Sequence, residues 1–494
     1  MTSAATSSDT ARSISDIAPP SVWTKLAYGV GAIAYGVKDN GFNFFLLLFY
    51  SQIVGLDARL VGLAILCALV VDAISDPIVG YWSDNLRSRW GRRHPFMYAS
   101  AIPVALSFYL LWNPPVGWSQ QSLFFYLLGL SIVIRTAITL YETPSAALAP
   151  DLTSDYEQRS SLIGYRFYFG WTGGNLMTVI MFFLIFPTFT TDLVPSGQFA
   201  RESYAVYGII ASVMIFAAIM ISALGTHSRI KHLNPPPPKR TMTMGRVFKE
   251  IFETLSERAF ASLFIANLFG AVATGLAGGL TFYFLVYFWG FSSIQQGYIT
   301  LGTFLAALIG FVLAPIITRT IGKKRGAMII GLVAFLGAPV PIVLRLLDIL
   351  PPNGTDFVFW FVFVTNVVDV GLIICFQILV SSMGADLVEQ SELKTGRRSE
   401  GVFTSAMTFV RKCVQGFGLM AASFVLALAN FPKGAAVGEV PQESIWSLGA
   451  YYVPAILTLW IAMMVFVSTY SISREDHEEN LRKLAEKKVI SSGT

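Results

Sequence analysis

Long apolar runs, cut by short polar breaks, divide the chain into twelve spans, near 24–50, 60–82, 95–113, 122–148, 160–187, 204–224, 259–289, 296–318, 326–346, 355–383, 401–430 and 446–469. A helix needs roughly 20 apolar residues to cross a bilayer, so each run is read as one crossing. One longer break, polar, basic and carrying four consecutive prolines (Pro235 to Pro238), separates the sixth span from the seventh. Consecutive prolines make a stiff extended spacer. The pattern predicts an all-α membrane protein of 12 transmembrane helices in two six-helix bundles. Its parts are a tail at 1–22, a first bundle at 23–225, a central loop at 226–257, a second bundle at 258–472 and a tail at 473–494.

Charge orients this pattern. Basic residues gather after span 2, between spans 6 and 7, after span 8 (Arg319, Lys323, Lys324, Arg325) and after span 10 (Lys394, Arg397, Arg398). The loops 113–121 and 290–296 carry none. Lys and Arg stay on the cytoplasmic side, so both tails and the central loop are expected there. Spans 2 and 8 both end in a proline followed by a basic turn. That internal likeness suggests a duplicated transporter with its site at the repeat interface.

Composition agrees: of 494 residues 54% are hydrophobic and 13% charged, against about 25% charged in soluble domains. The net charge of +5 is explained by the cytoplasmic loops and calls for no nucleic-acid partner. Cys67, Cys375 and Cys413 all lie in apolar runs and form no metal or disulfide pattern. His94, His227, His232 and His477 fall in segments expected to be cytoplasmic, which argues against a histidine proton relay. No nucleophile–base pair or phosphate-binding loop lies at membrane depth, so an enzyme is not expected. The Gly-rich AVATGLAGGL of span 7 lacks a P-loop ending and suits close helix packing.

The charges inside the spans are therefore the candidate chemistry. Span 2 holds Asp72 and Asp76, one turn apart on one face, followed at once by Pro77. On insertion scales two such aspartates cost about 5–7 kcal/mol. Like charges that close repel unless a cation neutralises them. Pro77 brings no amide proton, so the Ala73 carbonyl is freed as a further oxygen ligand. Span 1 holds Lys38 and Asp39, span 4 holds Arg135, Thr139 and Glu142 on one face, and span 5 holds Arg166. Asp369 lies in span 10, and Arg411 with Lys412 in span 11. The signs nearly balance, which implies mutual pairing in a wet interior.

The run DAISDPIVGYWSDNLRSRWGRRHP resembles the signature of the glycoside–pentoside–hexuronide:cation symporters, a melibiose permease-like branch of the major facilitator superfamily. TKLAYGVGA with the following Lys-Asp, LYETPSAALAPDLTSDYEQR with YRF, and MGADLVEQSELKTGRRSEG with TFVRK extend the likeness over roughly 23–180 and 380–415. The resemblance implies a cation site at Asp72, Asp76, Thr139 and Ser75. It implies a solute site at Lys38, Asp39, Glu142, Arg166 and Lys412. Three positions depart from the family pattern: Ala146 and Gln377 stand where tryptophans are expected, and Ile138 replaces a tyrosine. Glu142 also reaches one methylene further than the expected aspartate. The solute preference is accordingly expected to differ from melibiose.

The resulting expectation is symport of a glycoside, pentoside or hexuronide-like solute with Na+ or H+ by alternating access, in the bacterial inner membrane, as a monomer and without a cofactor. The arginines Arg87, Arg89, Arg92 and Arg93 are expected to pair with Asp386, Glu389 or Glu392 when the cytoplasmic side is shut. Two alternatives stand beside it: a cation-coupled lysophospholipid or amphiphile transporter, and a non-transporting membrane sensor.

Overall fold

The computed structural model describes residues 20–153, 156–192, 194, 196–232, 258–395, 414, 416–435 and 438–470. Every regular element among them is helical. In the first half these are α1 (Val22–Val30), α2 (Ile33–Asn40), α3 (Ala58–Asn85), α4 (His94–Leu111), α5 (Gln120–Ala146), α6 (Tyr156–Ile180) and α7 (Arg201–His227). In the second half they are α8 (Arg258–Tyr283), α9 (Ser293–Ile321), α10 (Lys323–Gly337), α11 (Val340–Leu346), α12 (Asp356–Thr395), α13 (Gly416–Leu428) and α14 (Gln442–Ser468).

The boundaries follow local chemistry. Asp57 caps α3 by accepting from the Arg59 amide, and Ser119 caps α5 by accepting from the Ser122 amide. Ser292 and Gln295 close a reciprocal capping box at the start of α9. Gly322, at φ 81°, turns the chain from α9 into α10, a conformation that suits glycine.

Ten helical spans among the described residues are long and apolar enough to cross a bilayer. The first predicted span is not one continuous α-helix. It breaks after Val30, resumes at Ile33, and passes through two wider π turns, Gly41–Phe45 and Phe49–Ile53. The eleventh is described as a shorter helix, Gly416–Leu428.

In the first half, α3 packs on α5, α4 on α5 and α7, and α1 and α2 on α6. In the second half, α9 and α10 pack on α12, and α8 on α14. The halves meet through a few crossings. Phe45 lies against Phe282, Trp171 against Phe304, and Gly62 against Ser423. At the end opposite the arginine turn the contacts become polar. Lys433 Nζ sits 2.6 Å from Asp57 Oδ2, and the Gly434 amide donates to the Ser51 carbonyl at 3.3 Å. The hydroxyls of Ser51 and Tyr283 also bond. The molecule is therefore tied shut across that face.

Candidate functional site

Pro77 sits inside α3 without ending the helix, which runs on to Asn85. Asp72 and Asp76 thus stay one turn apart, and α5 packs its Thr139 between them. The Thr139 hydroxyl lies 2.9 Å from Asp72 Oδ1 and 3.0 Å from Asp76 Oδ1. A hydroxyl has one proton, so it satisfies one carboxylate as donor. The other contact is favourable when its carboxyl carries a proton or a cation lies between the oxygens. One turn back on α5, Arg135 approaches Asp72 Oδ2 at 3.5 Å while its guanidinium covers the Phe42 ring at 4.7 Å. Asp72 is 1% exposed and Asp76 half-buried, and Arg135 lies beside the inner of the two carboxylates. Ser75 donates to the Asp72 backbone carbonyl at 2.9 Å, one turn back on its own helix. Among the described residues no group of three or more His, Cys, Asp or Glu assembles, so hydroxyl and carbonyl oxygens would complete a cation's shell.

A second charged set surrounds α2. Lys38, 4% exposed, pairs with its neighbour Asp39 at 2.6 Å, and the aspartate is the exposed partner. Arg166 donates to the Ser145 hydroxyl at 2.8 Å and to the Glu142 backbone carbonyl at 3.2 Å, with the Tyr35 ring 5.0 Å from its charge. The structure therefore brings Arg166 to Glu142 through the main chain, and the Glu142 carboxylate is half-buried.

The remaining expected positions separate. Arg87 and Arg89 are exposed in the turn between α3 and α4, Arg89 over the Trp90 ring at 5.6 Å. Arg92 is half-buried and Arg93 only 5% exposed. Asp386, Glu389 and Glu392 lie on the last turns of α12, but their side chains fall outside the described residues, as does Lys412 altogether.

Sequence reasoning missed the cavity. A space of about 660 Å3 lies between the halves and reaches into the second. Its first-half wall is Asn43, Phe44, Asn175 and Thr178, and Asn40 donates to both Asn175 (3.4 Å) and Thr178 (3.2 Å). The second-half wall is supplied mainly by α8 and α12. The signal was present at helical spacing: Asn366, Val370, Ile373, Gln377 and Ser381 form one stripe of α12. Of this stripe the sequence reading had singled out Gln377 alone, as a replaced tryptophan, and not the uncharged polar row it belongs to.

The family described as MFS/sugar transport protein matches residues 27–474. The inner membrane symporter YicJ of Escherichia coli is 26% identical, over 95% of this chain and 96% of its own. The sodium-dependent lysophosphatidylcholine symporter 1-A of Danio rerio is 23% identical, over 94% of this chain and 88% of its own. The structure of the xylose transporter XylE of E. coli superposes with a TM-score of 0.54 at 14% identity, covering 89% of this chain and 98% of that one. That likeness is one of fold.

Proposed function

The chain belongs to the MFS/sugar transport family, and from that premise we propose how it works. It is an integral membrane transporter, not an enzyme, and it couples a solute to a cation by symport. The solute is a glycoside or related polyol, and the membrane is the bacterial inner membrane. Twelve crossings form two bundles, 23–225 and 258–472, with both ends cytoplasmic on the side of the arginine turn. A monomer suffices, since both halves of the site belong to one chain.

One observation carries this reading: the single Thr139 hydroxyl between Asp72 and Asp76, with Arg135 holding the inner carboxylate. The coupling charge is taken up at the outer, more accessible Asp76. A proton would sit on Asp76 and donate to Thr139, leaving Thr139 to donate to Asp72. Sodium would take oxygen from both carboxylates and the hydroxyl. Loading neutralises the pair and lets α3 settle against α5, whose far turn carries Glu142 and the Ser145–Arg166 contact. The solute is held there with Lys38, Asp39 and Lys412, because carboxylates accept hydroxyl protons and cationic side chains donate to hydroxyl oxygens. By linkage the solute raises cation affinity by the same factor. The halves then rock about the site, and the Asp57–Lys433 closure alternates with arginine-to-carboxylate pairing of Arg87, Arg89, Arg92 and Arg93 with Asp386, Glu389 and Glu392.

Proteoliposome uptake under an imposed sodium or proton gradient tests the reading. Asp76→Asn abolishes gradient-driven accumulation in folded protein, and Thr139→Val lowers cation affinity about tenfold or more. Uptake indifferent to Asp76→Asn would remove the pair from coupling. The relative that carries lysophosphatidylcholine keeps an amphiphile open as the second reading, and accumulation of a lysolipid but no sugar would establish it.

A further inference from the structure

One intramembrane charge has no place in the site above. Asp369 lies near the middle of the membrane part of α12, thirteen residues and about 20 Å from its start at Asp356. Among the described residues its half-buried carboxyl has no hydrogen-bond or ion-pair partner. Thr365, one turn earlier, donates its proton to the Phe361 carbonyl at 2.8 Å. Charges on the helices packed against α12 are remote. Arg319 lies at the end of α9, Lys323, Lys324 and Arg325 in the first turn of α10, and Arg258 at the first position of α8. Beyond α10, Arg345 of α11 donates to the Leu350 (3.3 Å) and Pro351 (2.8 Å) carbonyls. A carboxylate at this depth is therefore poorly solvated and lacks a countercharge.

The carboxyl does touch a gap in another helix. Asp369 Oδ1 lies 2.9 Å from where a methyl on Gly337 would sit, and Gly337 is the last residue of α10. The chain breaks there and resumes as α11 at Val340. Arg325 stands twelve residues from this seat, about 18 Å along α10. Pro339 and Pro341 bring no amide proton, so the carbonyls of Phe335 and Gly337 lose their usual helical donors. A protonated carboxyl donates to such an oxygen, and a carboxylate does not. Water has a short way in, because Asn366, Val370 and Ile373, on either side of Asp369 along α12, line the cavity.

We infer that Asp369 is a second proton-binding site, in the second half and independent of the Asp72–Asp76 pair. Loaded, the neutral acid seats on Gly337 and holds α12 against the α10–α11 break. Emptied, the carboxylate turns to cavity water and releases the break. The proton comes and goes through the cavity, so occupancy follows the pH of the compartment to which the cavity opens. The site works whichever ion the pair takes and whatever the solute is.

The test uses dicyclohexylcarbodiimide, an apolar reagent that reaches membrane-buried carboxyls, on the full chain in proteoliposomes. The protonated acid reacts: its oxygen bonds to the carbodiimide carbon, its proton moves to nitrogen, and an acyl shift fixes the adduct with no leaving group. Mass spectrometry of the Asp369 peptide reads the occupancy. Modification at pH 6 is expected to be at least about tenfold faster than at pH 9, and to be the same in Asp76→Asn. Hydrogen exchange across the α10–α11 break, corrected for its intrinsic pH dependence, quickens from pH 6 to pH 9 in the wild type. It stays flat in Asp369→Asn, whose amide imitates the neutral acid. No adduct at either pH, in a preparation whose acid-unfolded chains react fully, overturns the site. Equal rates at both pH values make Asp369 a fixed structural acid and overturn it too. A pH dependence that disappears in Asp76→Asn assigns the proton to the coupling pair and overturns the independence. Exchange that quickens equally in Asp369→Asn overturns the release of the break. The adduct is read on the wild type, so a variant that misfolds leaves that result standing. Neither measurement involves a solute, so failure of sugar symport is a separate outcome.

Discussion

Asp57 shows how much a single carboxylate can report. It caps α3 and also reaches across to Lys433 in the other half. Partial burial pushes its carboxyl up, but the Lys433 ammonium and the Arg59 amide outweigh that and hold it below the ordinary carboxylate range. A lowered pKa stabilises the closed face above the group's ordinary value, near 3.9, and the contribution is lost as pH falls through the lowered value. Thermal unfolding of the wild type and Asp57→Asn is therefore expected to differ by a constant amount between pH 5 and 8, and the gap to shrink as the pH falls below the ordinary carboxylate range. A gap that changes between pH 6 and 8 would point to another group. At this scale the sequence was partly legible. Spacing put Asp72 and Asp76 on one face of span 2, and Thr139 with Arg135 and Glu142 on one face of span 4; that the two faces share a site was implied by the family resemblance alone. The sequence did not show that Ser75 turns to its own helix, or that Arg166 meets the Glu142 main chain, since neither rotamer nor carbonyl partner is written in a spacing.

Among the elements, α2 and α6 approach backbone to backbone. A methyl group on Gly36 would lie 1.9 Å from the Gly170 carbonyl oxygen, and one on Gly174 2.5 Å from the Gly36 carbonyl. Small residues let helix backbones touch in a membrane. Gly36→Ala is accordingly expected to force the pair apart at a cost of about 1–3 kcal/mol. It should lower the melting temperature and weaken solute binding, because Lys38 and Asp39 follow on the same helix. An unchanged melting temperature would mean that the contact yields at no cost. Most helices could be read from apolar length and the polar breaks between them. The first span could not be read as broken, because the break at Gly31 is set by its surroundings: a methyl there would meet the Tyr141 hydroxyl from α5 and Ser222 from α7. Apolar periodicity is silent about such distant neighbours.

For the whole molecule, the face carrying Asp57 and Lys433 is the one the structure holds shut. Cysteines at both positions, joined by oxidation, are expected to hold it shut permanently. Solute exchange from that side stops, and reductant restores it. Transport that continues in the oxidised double variant would show that the halves do not part there. The all-helical membrane plan was legible because long apolar runs and short polar breaks alternate along the chain. The cavity was not, because it is made by pairing α8 with α12 across ninety residues of chain, through side chains with no charge to advertise them.

The lone Thr139 proton between two carboxylates has an electrical consequence. A single cation carried by this pair brings one elementary charge with it. If the solute is neutral, each completed cycle moves that charge across the bilayer. A membrane potential of 100 mV then contributes about 2.3 kcal/mol per turnover, enough for roughly 50-fold accumulation. Vesicles given a potassium-diffusion voltage, with no chemical gradient of sodium or protons, should still concentrate the solute, and collapsing the voltage should release it.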